Sequence, residues 1–181
     1  MAIEVFNRYE HKYILTETQY RRAIKELERH MTADSYCRNG KPYTISNIYY
    51  DTEDDFLMRT SLEIKKKYKG IVNKRRSPMR LCEAKALLEN ANTEVGGKTN
   101  RRVVHEIKYF LSIRPVAPKV YIAYDRIAYF EEGNPDLRIS FDMNIRSRRF
   151  DTALESGDYG MPLTSRGTYL MEVKTALSKP L

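Results

Sequence analysis

Three Glu-x-Lys triplets stand in the chain: Glu10/Lys12, Glu63/Lys65 and Glu172/Lys174. In a β-strand, residues two apart share a face, so each triplet puts a carboxylate beside an ammonium on one side. Other charges keep the same alternation. Arg8 shares the parity of Glu10 and Lys12, Lys67 that of Glu63 and Lys65, and Lys74 and Arg76 go together. Tyr124 and Arg126 share a face with Ile122 and Ala128. Arg138, Ser140, Asp142 and Asn144 alternate with Leu137, Ile139, Phe141, Met143 and Ile145. Lys and Arg neutralise phosphate oxygens, and Arg can do so with two hydrogen bonds at once. Carboxylates are hard ligands for Mg²⁺ or Mn²⁺, and such a metal bridges phosphates. Turned inward in a closed barrel, these faces would suit a polyanion with a divalent metal. A sheet with one wet face explains the alternation equally well. It explains the composition less well, because a wet face normally mixes in Thr, Ser and Gln.

The elements that must carry these residues follow from periodicity and turn chemistry. Residues 3–15 read as a strand, with Tyr9, His11 and Tyr13 opposite the charges as packing on the barrel's outside. Residues 16–31 read as a helix with Thr16 and Gln19 as a capping box and Tyr20, Ile24, Leu27 and Met31 as its apolar stripe. Residues 33–42 form a loop with an Asn-Gly turn, and 43–52 a β-branched and aromatic strand. Residues 61–70 and 71–76 read as a hairpin around Gly70. A second helix over 77–90 starts with Ser77 as cap and Pro78 in its first turn, and a third covers 100–113, before Pro115. Strands follow at 119–130, 137–145 and 168–176, with an irregular stretch between the last two. The prediction is one α+β domain over 1–181 with six or more strands and three helices.

Composition narrows the function classes. The 181 residues include 41% hydrophobic and 31% charged, enough to fold around a core. The formal charge of +8 favours anionic partners. No apolar run approaches the roughly 20 residues of a membrane helix, and the N-terminus lacks an apolar signal core. Cys37 and Cys82 make no disulfide framework, so a cytoplasmic setting is expected. With no CxxC pair and three histidines, a structural zinc site is not indicated. There is no phosphate-binding GxxxxGK[ST] or GxGxxG loop, and His11 on the aromatic parity reads as packing. The basic run at 69–80 could touch nucleic acid, but its charges split between two strand faces. The tyrosines lie mostly opposite the charges, which reads as packing under helices rather than base stacking.

The segments NRYEHKYIL, SNIYYDT, EIKKKYKGIVNKRR, KVYIAYDRIAYF, PDLRISFDMNIR and YLMEVKT, in this order, span nearly the whole chain. Together they resemble the bacterial polyphosphate polymerase domain of the vacuolar transporter chaperone (VTC) type, within the CYTH-like triphosphate tunnel metalloenzymes. The resemblance implies an antiparallel closed barrel of about eight strands, with helices packed outside. It implies growth of an inorganic polyphosphate chain from ATP with Mn²⁺ or Mg²⁺. By the match, Lys12 is the first-strand basic ligand, and Lys65 and Lys74 are the pair on the hairpin. Tyr124 and Arg126 are the Tyr-x-Arg of the long strand, Arg138 is the next arginine, and Glu172 is the metal glutamate with Lys174 beside it. Parity, together with the likeness to related tunnel enzymes, adds Glu10 and Glu63 as further metal or water ligands, and parity adds Arg8, Lys67 and Arg76 as substrate contacts.

One departure stands out. The family's L-x-R-x-R strand, expected between the YYDT strand and the Glu63/Lys65 strand, is missing between about residues 60 and 61. Either that segment lies outside the sequence in hand or it is deleted. The first is preferred, because losing an inner strand would bare two barrel edges.

The expected enzyme is a metal-dependent phosphotransferase whose acceptor is the end of a phosphate chain. With water as acceptor, the same site becomes a triphosphatase or polyphosphatase. The alternatives are a non-catalytic module binding polyphosphate or inositol phosphate, and a basic nucleic-acid-binding domain. ATP and polyphosphate are the expected partners; nucleic acid is not expected, and protein partners are not readable.

Overall fold

The computed structural model describes residues 8–51, 64–68, 71–75, 77, 79–96 and 99–176. Those residues form nine strands and three α-helices, grouped into two compact units.

The larger unit takes in residues 8–48 and 120–176. Its strands are β1 (Arg8–Thr16), β2 (Thr32–Ala33), β3 (Tyr43–Asp51), β6 (Ala117–Glu131), β7 (Asn134–Arg148), β8 (Met161–Pro162) and β9 (Thr168–Ala176). They make one strongly curled antiparallel sheet, a half-barrel in the order β1-β9-β7-β6-β2, with β3 on β6 and β8 on β7. The α+β class and the antiparallel sheet are as expected. The sheet formed by the described strands is half a barrel rather than a closed one.

Helix α1 (Glu17–Leu27) begins where the sequence places it. The Thr16 hydroxyl accepts from the Gln19 N–H at 3.4 Å, and Gln19 Oε1 accepts from the Thr16 N–H at 2.9 Å. The stripe of Tyr20, Ile24, Leu27 and Met31, with Ala23, packs onto Cys37, Ile127, Tyr129 and Phe141. Ile139 and Met171 join the same cluster. The odd-numbered residues of β6, β7 and β9 thus face the helix, which leaves the even-numbered ones for the other side. The Asn39–Gly40 turn has both residues at positive φ, 55° and 69°, as the Asn-Gly signal requires.

Three expectations are corrected here. Tyr9 and Tyr13 are not packed but 54% and 47% exposed, and His11 is exposed between them. The helix covers β6, β7 and β9, and of β1 only Leu15 joins its cluster. Second, Asn144 does not continue the face of Arg138, Ser140 and Asp142. It sits at φ 52° in a bulge where pairing shifts from Asp125↔Met143 to Ala123↔Arg146. The extra residue turns β7 over, so Asn144 and Arg146 reach Asp125 on the opposite face. Third, the stretch expected to be irregular contains β8. Its approach to β7 is so close that a Cβ on Gly160 would lie 2.8 Å from the Ser147 carbonyl oxygen.

Arg148, 3% exposed, ties down the loop before β8. Its guanidinium donates to the carbonyls of Asp151 (2.6 Å), Tyr159 (2.5 Å) and Ala153 (2.9 Å). It also lies over the rings of Tyr121 and Tyr159 at 3.6 and 4.3 Å. A lysine has neither the fork nor the flat face for this. Arg148→Lys is expected to destabilise the protein by about 2–3 kcal/mol, with protease cleavage appearing first between residues 149 and 160. Wild-type resistance of that loop would show that the three carbonyl bonds do not hold it.

The smaller unit holds β4 (Ile64–Tyr68), β5 (Ile71–Arg75), α2 (Leu81–Glu89) and α3 (Arg101–Ile113). Leu87, Val104 and Leu111 form its core. Asn100 caps α3, as its Oδ1 accepts from the Val103 N–H. Ser77 does not cap α2. Its hydroxyl accepts from the Asn100 N–H, and the N-cap of α2 is Arg80, whose N–H and guanidinium both donate to Glu83. Among the described residues no helix is long and apolar enough to cross a membrane.

Candidate functional site

The site is built by pairing rather than by any one segment. β1 and β9 run antiparallel with Glu10 opposite Lys174 and Lys12 opposite Glu172. Two Glu-x-Lys triplets facing each other head to tail give opposite charges at every position. β7 lies on the other side of β9, with Arg138 opposite Lys174 and Ser140 opposite Glu172. β6 follows, with Arg126 opposite Asp142. Period-two alternation along four neighbouring strands therefore assembles one continuous charged face.

Glu172 is its centre. It is 8% exposed, and Lys174 Nζ lies 2.9 Å, Lys12 Nζ 3.9 Å and Arg126 Nη2 3.8 Å from its carboxylate. Lys12 also pairs with Glu10 at 3.3 Å, and Lys174 reaches Glu10 at 4.0 Å. Burial alone would raise the Glu172 pKa. The ammoniums of Lys174, which also donates a hydrogen bond, and Lys12 outweigh it and hold the group down, to about 2. The shift is downward from 4.5, so ionised Glu172 stabilises the fold at pH above that value, and the contribution disappears as pH falls toward 2. Urea midpoints measured from pH 6 down to pH 3 are expected to drop more for the wild type than for Glu172→Gln. Parallel curves would show that Glu172 is not held in this way.

Arg126 is differently engaged. Its Nε and Nη2 donate to the two oxygens of Asp142 at 2.6 and 2.7 Å, and its carbon lies 5.0 Å from the Tyr124 ring centre. Burial would lower its pKa, but the bonds to Asp142 raise it, so it stays charged. Arg138 donates to Asp34 at 2.7 Å and remains 42% exposed. Asp142 and Asp34 are functional neighbours that the sequence reading did not select. Asp142 was on the right parity, while Asp34 lies in a loop with no periodic signal.

Four cations (Lys12, Lys174, Arg126, Arg138) thus face four carboxylates (Glu10, Glu172, Asp142, Asp34). The face is balanced rather than cationic. Anions can dock only where a carboxylate finds another cation. Lys12 is 56% exposed with its contacts at 3.3 and 3.9 Å, and Lys174 is 29% exposed, so these two are the ammoniums best placed to move.

The remaining candidates divide between the two units and the undescribed residues. Register places Lys65 opposite Lys74, with Lys67 opposite Val72, in the β4–β5 hairpin of the smaller unit. Arg8 opens β1 opposite Ala176. Glu63 and Arg76, like the point near 60–61 where a family strand is missing, lie outside the described residues. Among the described residues no group of three or more His, Cys, Asp or Glu side chains could hold a metal unaided. Glu10 and Glu172 offer two hard carboxylates side by side. That fits a Mg²⁺- or Mn²⁺-sized ion taking its other ligands from water and phosphate.

The VTC domain family model matches residues 7–62 and 55–181, two stretches that overlap where the sequence departs from the family. No curated protein matches significantly. The two matched stretches cover nearly all of the chain, including every strand of the charged face, and the chain belongs to the VTC domain family of polyphosphate polymerase-type domains.

Proposed function

We propose that this chain transfers the terminal phosphoryl group of ATP to the end of an inorganic polyphosphate chain on the charged face of its half-barrel. The observation that carries this reading is buried, ionised Glu172 held among Lys12, Lys174 and Arg126. Family membership supports the polyphosphate part of it.

Phosphoryl transfer asks for position and charge neutralisation more than for a covalent nucleophile. A bound Mn²⁺ or Mg²⁺ would supply bridging of phosphate oxygens and neutralisation of their charge. Glu10 and Glu172 would hold it. Their engagement frees Lys12 and Lys174 to turn to phosphate oxygens, so cation and polyanion should each tighten the other's binding. Arg138 keeps guanidinium hydrogens beyond the one given to Asp34. Arg126 is spent on Asp142 and positions Glu172 and the strands around it. Lys65 and Lys74 are added as phosphate ligands on the resemblance alone, and Lys67 on strand parity. The reading needs the charged face and does not need a closed barrel. A cytoplasmic setting suits it, since ATP is present and Cys37 and Cys82 are both unpaired.

Incubation with ATP and Mn²⁺ is expected to give long polyphosphate on a stained gel. Phosphate release without polymer would assign water as the acceptor and make the chain a hydrolase. Binding of polyphosphate with neither product would sink the enzyme and leave a binding module. Binding that falls steeply with salt on nucleic acid, uncontested by triphosphate, would sink both.

A further inference from the structure

The loop between β2 and β3 is pinned from several sides. The Asp34 N–H donates to the Ala128 carbonyl at 2.8 Å, and the Cys37 N–H donates to the Asp34 carbonyl at 2.7 Å. The buried Cys37 sulfur accepts from the Ala128 N–H at 3.4 Å. The two carboxylate oxygens of Asp34 accept from the Tyr36 N–H at 3.1 Å and from Arg138 at 2.7 Å. One carboxylate thus ties the backbone under Tyr36 to a cation of the charged face.

What this pinned loop holds outward is a ring. Tyr36 is 70% exposed. Its ring centre lies 5.5 Å from that of Tyr43, with the planes tilted by 43°. Tyr43 is half-buried against the same core cluster as Cys37, and it backs Tyr36. Burial first, and then the charge of Asp34, raises the Tyr43 pKa, while Arg138 and Arg126 pull it the other way. Tyr43 therefore stands at the border of the charged face and keeps its proton. An aromatic ring on a fixed backbone loses little further freedom when a flat partner stacks on it.

Along the face the groups follow one order. The two rings come first, then Arg138, then Lys174 opposite it, then Glu172 at 2.9 Å from Lys174. A nucleoside triphosphate has its parts in the same order: a flat base, a ribose, then phosphates whose outer members take the metal. We propose that Tyr36, backed by Tyr43, is the stacking platform for the nucleobase of the phosphoryl donor. It sets the preference of the site for a nucleoside triphosphate over inorganic triphosphate. The inference rests on the reading that Arg138 and Lys174 receive phosphates. Stacking uses the π-face that every base has, so adenine and guanine should serve alike.

Calorimetry of the full chain in Mg²⁺ buffer tests this with the non-hydrolysable β,γ-imido analogues of ATP and GTP and with inorganic triphosphate. Tyr36→Ala is expected to weaken both nucleotide analogues about tenfold relative to inorganic triphosphate, the usual effect of losing one stacked ring. The fold should survive, because the ring is exposed and the N–H bond to Asp34 remains. Tyr36→Trp should restore nucleotide affinity. It also places one indole in a chain that has no tryptophan, so its fluorescence should be quenched by the nucleotide analogues and not by triphosphate. Equal loss of all three ligands in Tyr36→Ala, or nucleotide binding without quenching in Tyr36→Trp, overturns the platform. Strong discrimination between the two analogues overturns stacking as the mode of base recognition. A chain that makes polymer with no dependence of nucleotide affinity on Tyr36 overturns this inference and leaves the function above intact. Tyr36-dependent nucleotide binding in a chain that makes no polymer does the reverse, and failure of all three ligands to bind overturns both.

Discussion

Glu172→Gln is expected to lose metal-dependent phosphoryl transfer from ATP by at least about 100-fold, and to bind polyphosphate more tightly in metal-free buffer. The loss follows from its place as one of two adjacent carboxylates, the other being Glu10. Removing even an outer partner of a metal ligand costs 10- to 100-fold, so removing a ligand should exceed that. The gain follows from the charge balance. Four cations now face three carboxylates, and Lys174 and Lys12 no longer have Glu172 within 2.9 and 3.9 Å. One unit charge at about 4 Å is worth about 1 kcal/mol in water, so the tightening should be about fivefold at low salt. Gel assay and calorimetry with polyphosphate read the two effects separately. A purely structural Glu172 would move both in the same direction, down. Full turnover in the variant would remove Glu172 from the reaction.

Arg126→Met is expected to cost about 3–5 kcal/mol of stability, the typical effect of stripping one partner from a buried ion pair. Asp142 is 7% exposed and would be left buried without its bidentate partner at 2.6 and 2.7 Å. The double variant Arg126→Met/Asp142→Leu should recover most of the loss, because removing both charges leaves neither stranded. Urea unfolding with an unchanged slope gives both numbers. The alternative, taken from the resemblance alone, makes Arg126 a direct phosphate ligand. It calls for wild-type stability with weakened polyphosphate binding, and that outcome would overturn the structural assignment made here. The same logic separates Arg126 from Lys12, whose ammonium is 56% exposed and whose loss should spare the fold.

Much of the fold was legible because it is local. A helix needs only its cap and its stripe, and Thr16, Gln19, Tyr20, Ile24 and Leu27 supply both within one segment. A strand needs only its period of two, so the even-numbered charges of β1, β6, β7 and β9 could be put on one face before any pairing was known. The Glu-x-Lys triplets announced the kind of chemistry for the same reason: spacing along a strand fixes which side chains are neighbours.

Everything that depends on which strand lies beside which had to wait for the tertiary structure. Only the order β1-β9-β7-β6 sets Glu10 against Lys174 and Lys12 against Glu172, and turns a row of like-looking charges into a balanced face. Asn144 left its expected face because one extra residue in a ladder reverses the strand, which no count along the chain reveals. Asp34 and Arg138 are 104 positions apart in sequence, and Arg148 finds its carbonyls only once its loop has closed. Tyr9, His11 and Tyr13 look like outer packing in the sequence because their pattern says which face they share. What covers that face is decided by where α1 lies, and α1 lies over β6, β7 and β9. Period and capping are properties of a segment, whereas pairing, bulges and burial are properties of neighbours that the segment does not contain.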